Sequence, residues 1–266
     1  MSFAQKLKKS KYHLIFSVLP IVIIAGVIKV ILHFLDWELI PKELTMFFPS
    51  ILTGIIFILG VLLAGVVSDY KESEKIPNEL AASLYALWQE TNFIGKVQNC
   101  KSVPGIFIKL RLFIPTLKED FFLKRNDKIF KLLDDLSSDV IQLGKEDALP
   151  GYLFRMKVEI SNLKKNLTRI NVIKSTDFIP SVFVCILAIT IVFLTVYCLL
   201  AVDPWWGGLI VQCIFTFVIF AILKLIKDME DPFKYDGSGQ AKADEVRLEV
   251  LDYLQKEFEE KLIWLF

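Results

Sequence analysis

The sequence predicts an all-α membrane protein, with four spanning helices and a cytoplasmic helical bundle. Three observations carry that prediction. Leu44–Ser68 runs for 25 residues without a charged side chain, Phe178–Val202 for another 25, and Pro204–Leu223 for 20. A hydrocarbon core about 30 Å thick takes roughly 20 apolar residues as helix. The stretch 68–177 between the second and third spans is instead rich in charge, with apolar residues at helical spacing. No segment shows the period-two alternation of a membrane β-barrel. Hydrophobic residues make up 54% of the 266. With these runs, that excludes a disordered chain, a collagen-like fibre and a disulfide-stapled secreted domain.

The first span, 13–35, is the least clean. Lys29, His13 and His33 interrupt it, and Lys6, Lys8, Lys9 and Lys11 precede it with no acid. A signal peptide is the alternative, but the apolar stretch exceeds about 15 residues and no small-residue cleavage site follows. The second span, 46–67, is reached through Asp36–Met46, which holds one lysine and three acids. The third and fourth, 178–202 and 205–226, are joined by the tight turn Asp203–Trp206. The chain thus divides into 1–67, a cytoplasmic helical region 68–177, the hairpin 178–226 and a tail 227–266.

Basic residues near span ends set orientation. Lys6 to Lys11, Lys71, Lys75, Lys164, Lys165, Arg169, Lys174, Lys224 and Lys227 lie on one side, and Lys42 alone on the other. Both termini and the long middle segment are expected in the cytoplasm, with Trp37, Trp205 and Trp206 at the outer interface. On this topology the sequon at Asn166 never meets the glycosylation machinery.

Within 68–177, Asn78 is placed to cap a helix beginning at Glu79, with Leu80, Leu84, Leu87 and Trp88 on one face. Over 119–143 a second stripe comprises Phe122, Ile129, Leu133, Leu136 and Val140. The third is the most regular: Leu153, Met156, Ile160, Leu163, Leu167 and Ile170 follow a 3-4 spacing. It fits either one face of a bundle or a seam between subunits. In Ala241–Leu262, Val246, Val250, Leu254, Phe258 and Leu262 recur every four residues, predicting a tail helix that packs on the bundle. Gly237-Ser238-Gly239 reads as a hinge.

Chemistry is sparse. The cytoplasmic part has no histidine, and no P-loop, GxGxxG, GxSxG or HExxH occurs. Cys185, Cys198 and Cys213 lie in apolar runs and Cys100 stands alone, so neither a disulfide framework nor a zinc site is expected. The net charge of +1 implies no nucleic-acid partner. No enzyme and no cofactor are expected. Lys29 has two readings: its stem snorkels to the headgroups, or its charge serves an outer vestibule. Spans two to four contain no carboxylate and no histidine, which counts against coupled transport. A pore lined by apolar and small residues remains compatible.

The run Phe57-Ile58-Leu59-Gly60 through Val66-Val67, with Asp69-Tyr70 beyond it, resembles the second helix of the bestrophin ion channels. Asp228-Met229-Glu230-Asp231-Pro232-Phe233, followed by Asp236-Gly237, resembles the element after their last span. The likeness is nearest to the prokaryotic bestrophin-like proteins. It implies a pentamer with one central pore lined by the second helix, in the plasma membrane of a prokaryote. The neck positions it implies are Thr53, Phe57 and Val61, at i, i+4 and i+8 on one helix face. Thr53 departs from the family's apolar pattern, and Val61 is smaller than its aromatic. The acids Asp228, Glu230, Asp231 and Asp236 correspond to a calcium-binding cluster in animal members, although the downstream acidic run is missing. The expected function is passive conduction of an inorganic ion: Lys29 points to an anion such as chloride, which is put first, and the acidic residues Asp36, Glu38 and Glu43 of the outer loop point to a cation. The alternative is a non-conducting oligomeric scaffold that assembles through the heptad stripe and the tail helix.

Overall fold

The computed structural model describes residues 13–98, 100–123, 127–175, 180–230, 232–233 and 245–263. Among them the chain is helical, with no strand and a single isolated bridge between Ile40 and Leu200. It forms two compact units. One takes Met1–Tyr70, Asp177–Asp231 and Lys242–Asp244; the other takes Lys71–Thr176, Pro232–Ala241 and Glu245–Phe266.

The first unit contains α1 (His13–Phe34), a 3-10 turn (Lys42–Phe47), α2 (Phe48–Ser73, to Tyr70), α7 (Pro180–Cys198) and α8 (Trp205–Met229). Three of its helices, α1, α2 and α8, are long and apolar enough to cross a membrane. The third expected span is shorter than predicted. Its helix stops at Cys198, because the next residues leave helical geometry to pair with the loop between α1 and α2. Ile40 N–H donates to the Leu199 carbonyl at 3.1 Å, and Ala201 N–H to the Ile40 carbonyl at 3.0 Å. At the start of α8, Gly208 is a steric necessity: a Cβ there would lie 2.8 Å from Val202 Cβ. Helix α1 packs along α8, and at Gly26 a Cβ would meet Cys213 Sγ at 3.3 Å.

The second unit is a bundle of α3 (Ile76–Gln98), α4 (Val103–Leu123), α5 (Asp127–Lys145), α6 (Pro150–Ser175) and α9 (Glu249–Ile263). Several boundaries differ from expectation. Helix α3 starts at Ile76, with Asn78 inside its first turn, because proline is tolerated where the N–H has no helical partner anyway. The stripe expected over 119–143 is divided between α4 and α5. Buried Asp120 on α4 accepts from the Ile129 N–H at 2.9 Å, at the start of α5. Helix α4, which carries Pro115 internally, was not anticipated. The tail helix begins at Glu249, later than expected, and Val246 precedes it, donating its N–H to the Pro232 carbonyl at 2.9 Å.

The heptad stripe on α6 has one use. Met156, Ile160, Leu163, Leu167 and Ile170 are all buried in the bundle's own core, on a helix packed against α3 and α5, and Leu153 is partly buried at its edge. Leu251, Leu254 and Phe258 of α9 join the same core. The Phe258 ring stacks on Trp88 with centroids 4.4 Å apart, and Trp88 also meets Phe107 at 4.5 Å. Two loops close with aspartate in the left-handed region, Asp36 (φ 53°) and Asp147 (φ 61°). In each, the following N–H returns to a carbonyl of the helix's last turn, Trp37 to Leu32 at 3.0 Å and Ala148 to Leu143 at 3.1 Å.

Candidate functional site

Helix α2 has two unlike faces. Phe48, Leu52, Ile55, Leu59 and Val66 are buried against Ile186, Phe193 and Tyr197 of α7 and Ile219, Leu223 and Ile226 of α8. The anchor is aromatic. Phe48 lies 5.4 Å from Tyr197 in an edge-to-face pair and 5.7 Å from Phe193, and Tyr197 in turn meets Phe215 at 5.7 Å. These contacts fix the rotation of α2 about its own axis.

The rotation leaves Thr53, Phe57 and Val61 on the opposite face. All three are exposed, Phe57 by 70% and Val61 by 57%. Gly54 and Gly60 beside them have nothing within 4 Å of where a Cβ would sit. Thr53 Oγ1 donates to the Pro49 carbonyl at 2.7 Å, so its hydroxyl proton is used inside the helix. The face therefore offers a phenyl ring, a methyl-rich valine and a threonine whose donor is spent. It carries no fixed charge.

Lys29 takes neither of the places expected for it. It is 2% exposed, on the inner side of α1. Its Nζ donates to the carbonyls of Cys198 at 3.2 Å and Leu200, at the C-terminal end of α7. Terminal helix carbonyls lack helical partners and carry the negative end of the macrodipole, which accounts for a cation there. Glu38 stands 3.9 Å from the same ammonium and faces His33 Nδ1 at 3.0 Å. The His33 ring stacks on Trp205, 5.0 Å between centroids and 13° between planes. An ammonium so enclosed is a structural tie between α1 and the end of α7. Its carbonyl partners lie 169 and 171 positions away in sequence, so no local pattern announces them.

Gln212 was also not foreseen. It is fully buried on α8, with Nε2 against Cys198 Sγ and 3.4 Å from the Ala25 carbonyl, which links α8 to α7 and α1.

The acids after the last span are not brought together among the described residues. Asp228 pairs with Lys224 one turn earlier on α8, and Glu230 has an interaction of its own. Asp231 and Asp236 lie outside the described residues. Among the described residues no group of three His, Cys, Asp or Glu side chains is placed to hold a metal ion.

No family model matches the chain, and no curated protein matches it. Solved structures do. Two mutant structures of a bacterial bestrophin homologue from Klebsiella pneumoniae align with TM-scores of 0.75 and 0.74, at 14% and 15% identity. They cover 93% and 92% of this chain and 98% and 97% of theirs. A third structure, a membrane-protein mutant, aligns at 0.74 with 16% identity, over 93% of this chain and 98% of its own. The architecture of this chain is that of the bacterial bestrophin homologues.

Proposed function

We propose that the chain is a homo-oligomeric ion channel, with copies of α2 around a common axis and Thr53, Phe57 and Val61 turned towards it. The observation that carries this reading is the two-faced α2. One side is locked by aromatic packing, and the other leaves the large Phe57 ring 70% exposed. Ring repetition of that face makes successive collars of Thr53, Phe57 and Val61, narrowest at the phenyl groups. An uncharged apolar collar controls passage through the cost of dehydrating an ion and through dewetting. The absence of a carboxylate or histidine from spans two to four agrees with passive flow and no coupling ion.

In this reading the channel is a pentamer in the plasma membrane of a prokaryote, with both termini cytoplasmic, and chloride is the conducted ion. It is not an enzyme and needs no cofactor. The scaffold alternative loses ground because its two assembly surfaces, the heptad stripe and the tail helix, are consumed within the bundle core. The test is ionic current from purified protein in planar bilayers. Phe57→Ala is expected to raise conductance severalfold and Phe57→Glu to shift the reversal potential in a potassium chloride gradient. Assembled protein without current, or currents indifferent to both substitutions, overturns the reading.

A further inference from the structure

An ion that enters an uncharged collar sheds part of its hydration shell, and the polar atoms that replace those waters decide which sign is favoured. A cation takes lone pairs, and an anion takes N–H or O–H donors. Among Thr53, Phe57 and Val61, only Thr53 carries a polar side-chain atom. A hydroxyl ordinarily serves both signs, with one donor and two acceptor lone pairs. Here the two capacities are separated. Thr53 Oγ1 donates to the Pro49 carbonyl at 2.7 Å, one turn back on α2, an arrangement open to threonine within a helix. The proton is committed to the helix, while the oxygen keeps its lone pairs on an exposed face. Gly54, next in the chain, adds no side chain to shield it, and nothing else lies within 4 Å of where one would sit.

The other two collars fix no sign. The Phe57 ring has a negative face and a positive edge, so its preference follows its tilt. Val61 offers methyl groups alone. No charged side chain occurs from Leu44 to Ser68, so no fixed charge on this stretch of α2 overrides the hydroxyl. An anion gains the Thr53 donor only by breaking the bond to Pro49, whereas a cation meets the acceptor as it stands.

We propose that Thr53 sets the pore's discrimination by sign. A ring of its oxygens steadies a partly dehydrated monovalent cation, so potassium passes beside chloride and the preference for chloride is shallow. This rests on the channel reading, with α2 turned towards the axis. The test is the reversal potential of the full chain in planar bilayers under a potassium chloride gradient. Wild type is expected to reverse between the equilibrium potentials of the two ions. Thr53→Val replaces the hydroxyl by a methyl of similar volume at an exposed position. It is expected to move the reversal potential towards that of chloride, raising the chloride-to-potassium permeability ratio severalfold. Thr53→Ser keeps the hydroxyl and is expected to reverse with wild type. A second measurement needs no variant: replacing potassium by a bulky organic cation on one side is expected to shift the wild-type reversal potential towards that of chloride. A Thr53→Val channel that reverses with wild type or nearer the potassium potential overturns the proposal. So does a Thr53→Ser channel that behaves like Thr53→Val, or a wild-type reversal potential indifferent to the cation replacement. In each of those outcomes current persists and the channel reading stands. Absent current in assembled wild-type protein instead removes the channel reading, and this proposal with it.

Discussion

Lys29 shows what one side chain decides in a membrane unit. A lysine in an apolar run invites a search for water, yet here the carbonyls that end α7 supply the polar partners. Replacing it with methionine leaves those buried acceptors unmatched, a loss on the order of 1–3 kcal/mol. Lys29→Met is therefore expected to lower the melting temperature of the detergent-solubilised protein, and Lys29→Arg to recover part of the loss. An unchanged melt shows that the tie is dispensable. Glu146 makes the same point in the bundle. It accepts from the Ser102 hydroxyl at 2.6 Å and from the Ser102 N–H at 3.2 Å, and so caps the start of α4. The Ser102 hydroxyl holds its carboxyl below the ordinary value of 4.5, with the Ser102 and Lys101 backbone N–H groups and the Lys101 charge adding to the effect. A depressed carboxyl contributes stability that is present above 4.5 and lost as pH falls through the lower folded-state value. Wild type should melt above Glu146→Gln at pH 7, and the gap should close in acid. A constant gap from pH 7 to pH 3 contradicts that role.

At the scale of the element, α6 separates internal packing from assembly. Its 3-4 stripe is periodic enough for a coiled-coil seam, but the bundle uses it. Leu163 is fully buried, so Leu163→Ala is expected to cost about 2–5 kcal/mol through lost burial and a cavity. Phe154, 69% exposed on the opposite side of the same helix, should cost little when changed to alanine. Chemical denaturation of both variants checks this, and equal losses would assign both faces to packing. The stripe itself was legible in the sequence, whereas its partner was not, because periodicity gives a helix its apolar face without naming what lies against it. Helix α4 escaped notice for a related reason. It carries Pro104 and Pro115, and its buried residues crowd together as Ile106, Phe107, Leu110, Phe113 and Ile114. That density blurs the one-sided period by which the other helices are recognised.

At the scale of the whole molecule, the proposal stands on assembly. A ring of identical chains uses a heterologous interface that closes on itself, so mass in detergent is the first measurement. A stable pentamer supports the axial arrangement of α2, and a monomer removes it. The uncharged runs and the segregation of charge determined a helical membrane protein with a charged bundle from sequence alone, since both follow from transfer of apolar groups out of water. The resemblance of the second span picked out Thr53, Phe57 and Val61. Only the tertiary structure decided which face of α2 stays open, because the aromatic anchors on α7 and α8 come from the far end of the chain and fix the helix's rotation. The fates of Lys29 and of the α6 stripe were decided the same way, by partners that folding brings near and sequence keeps apart.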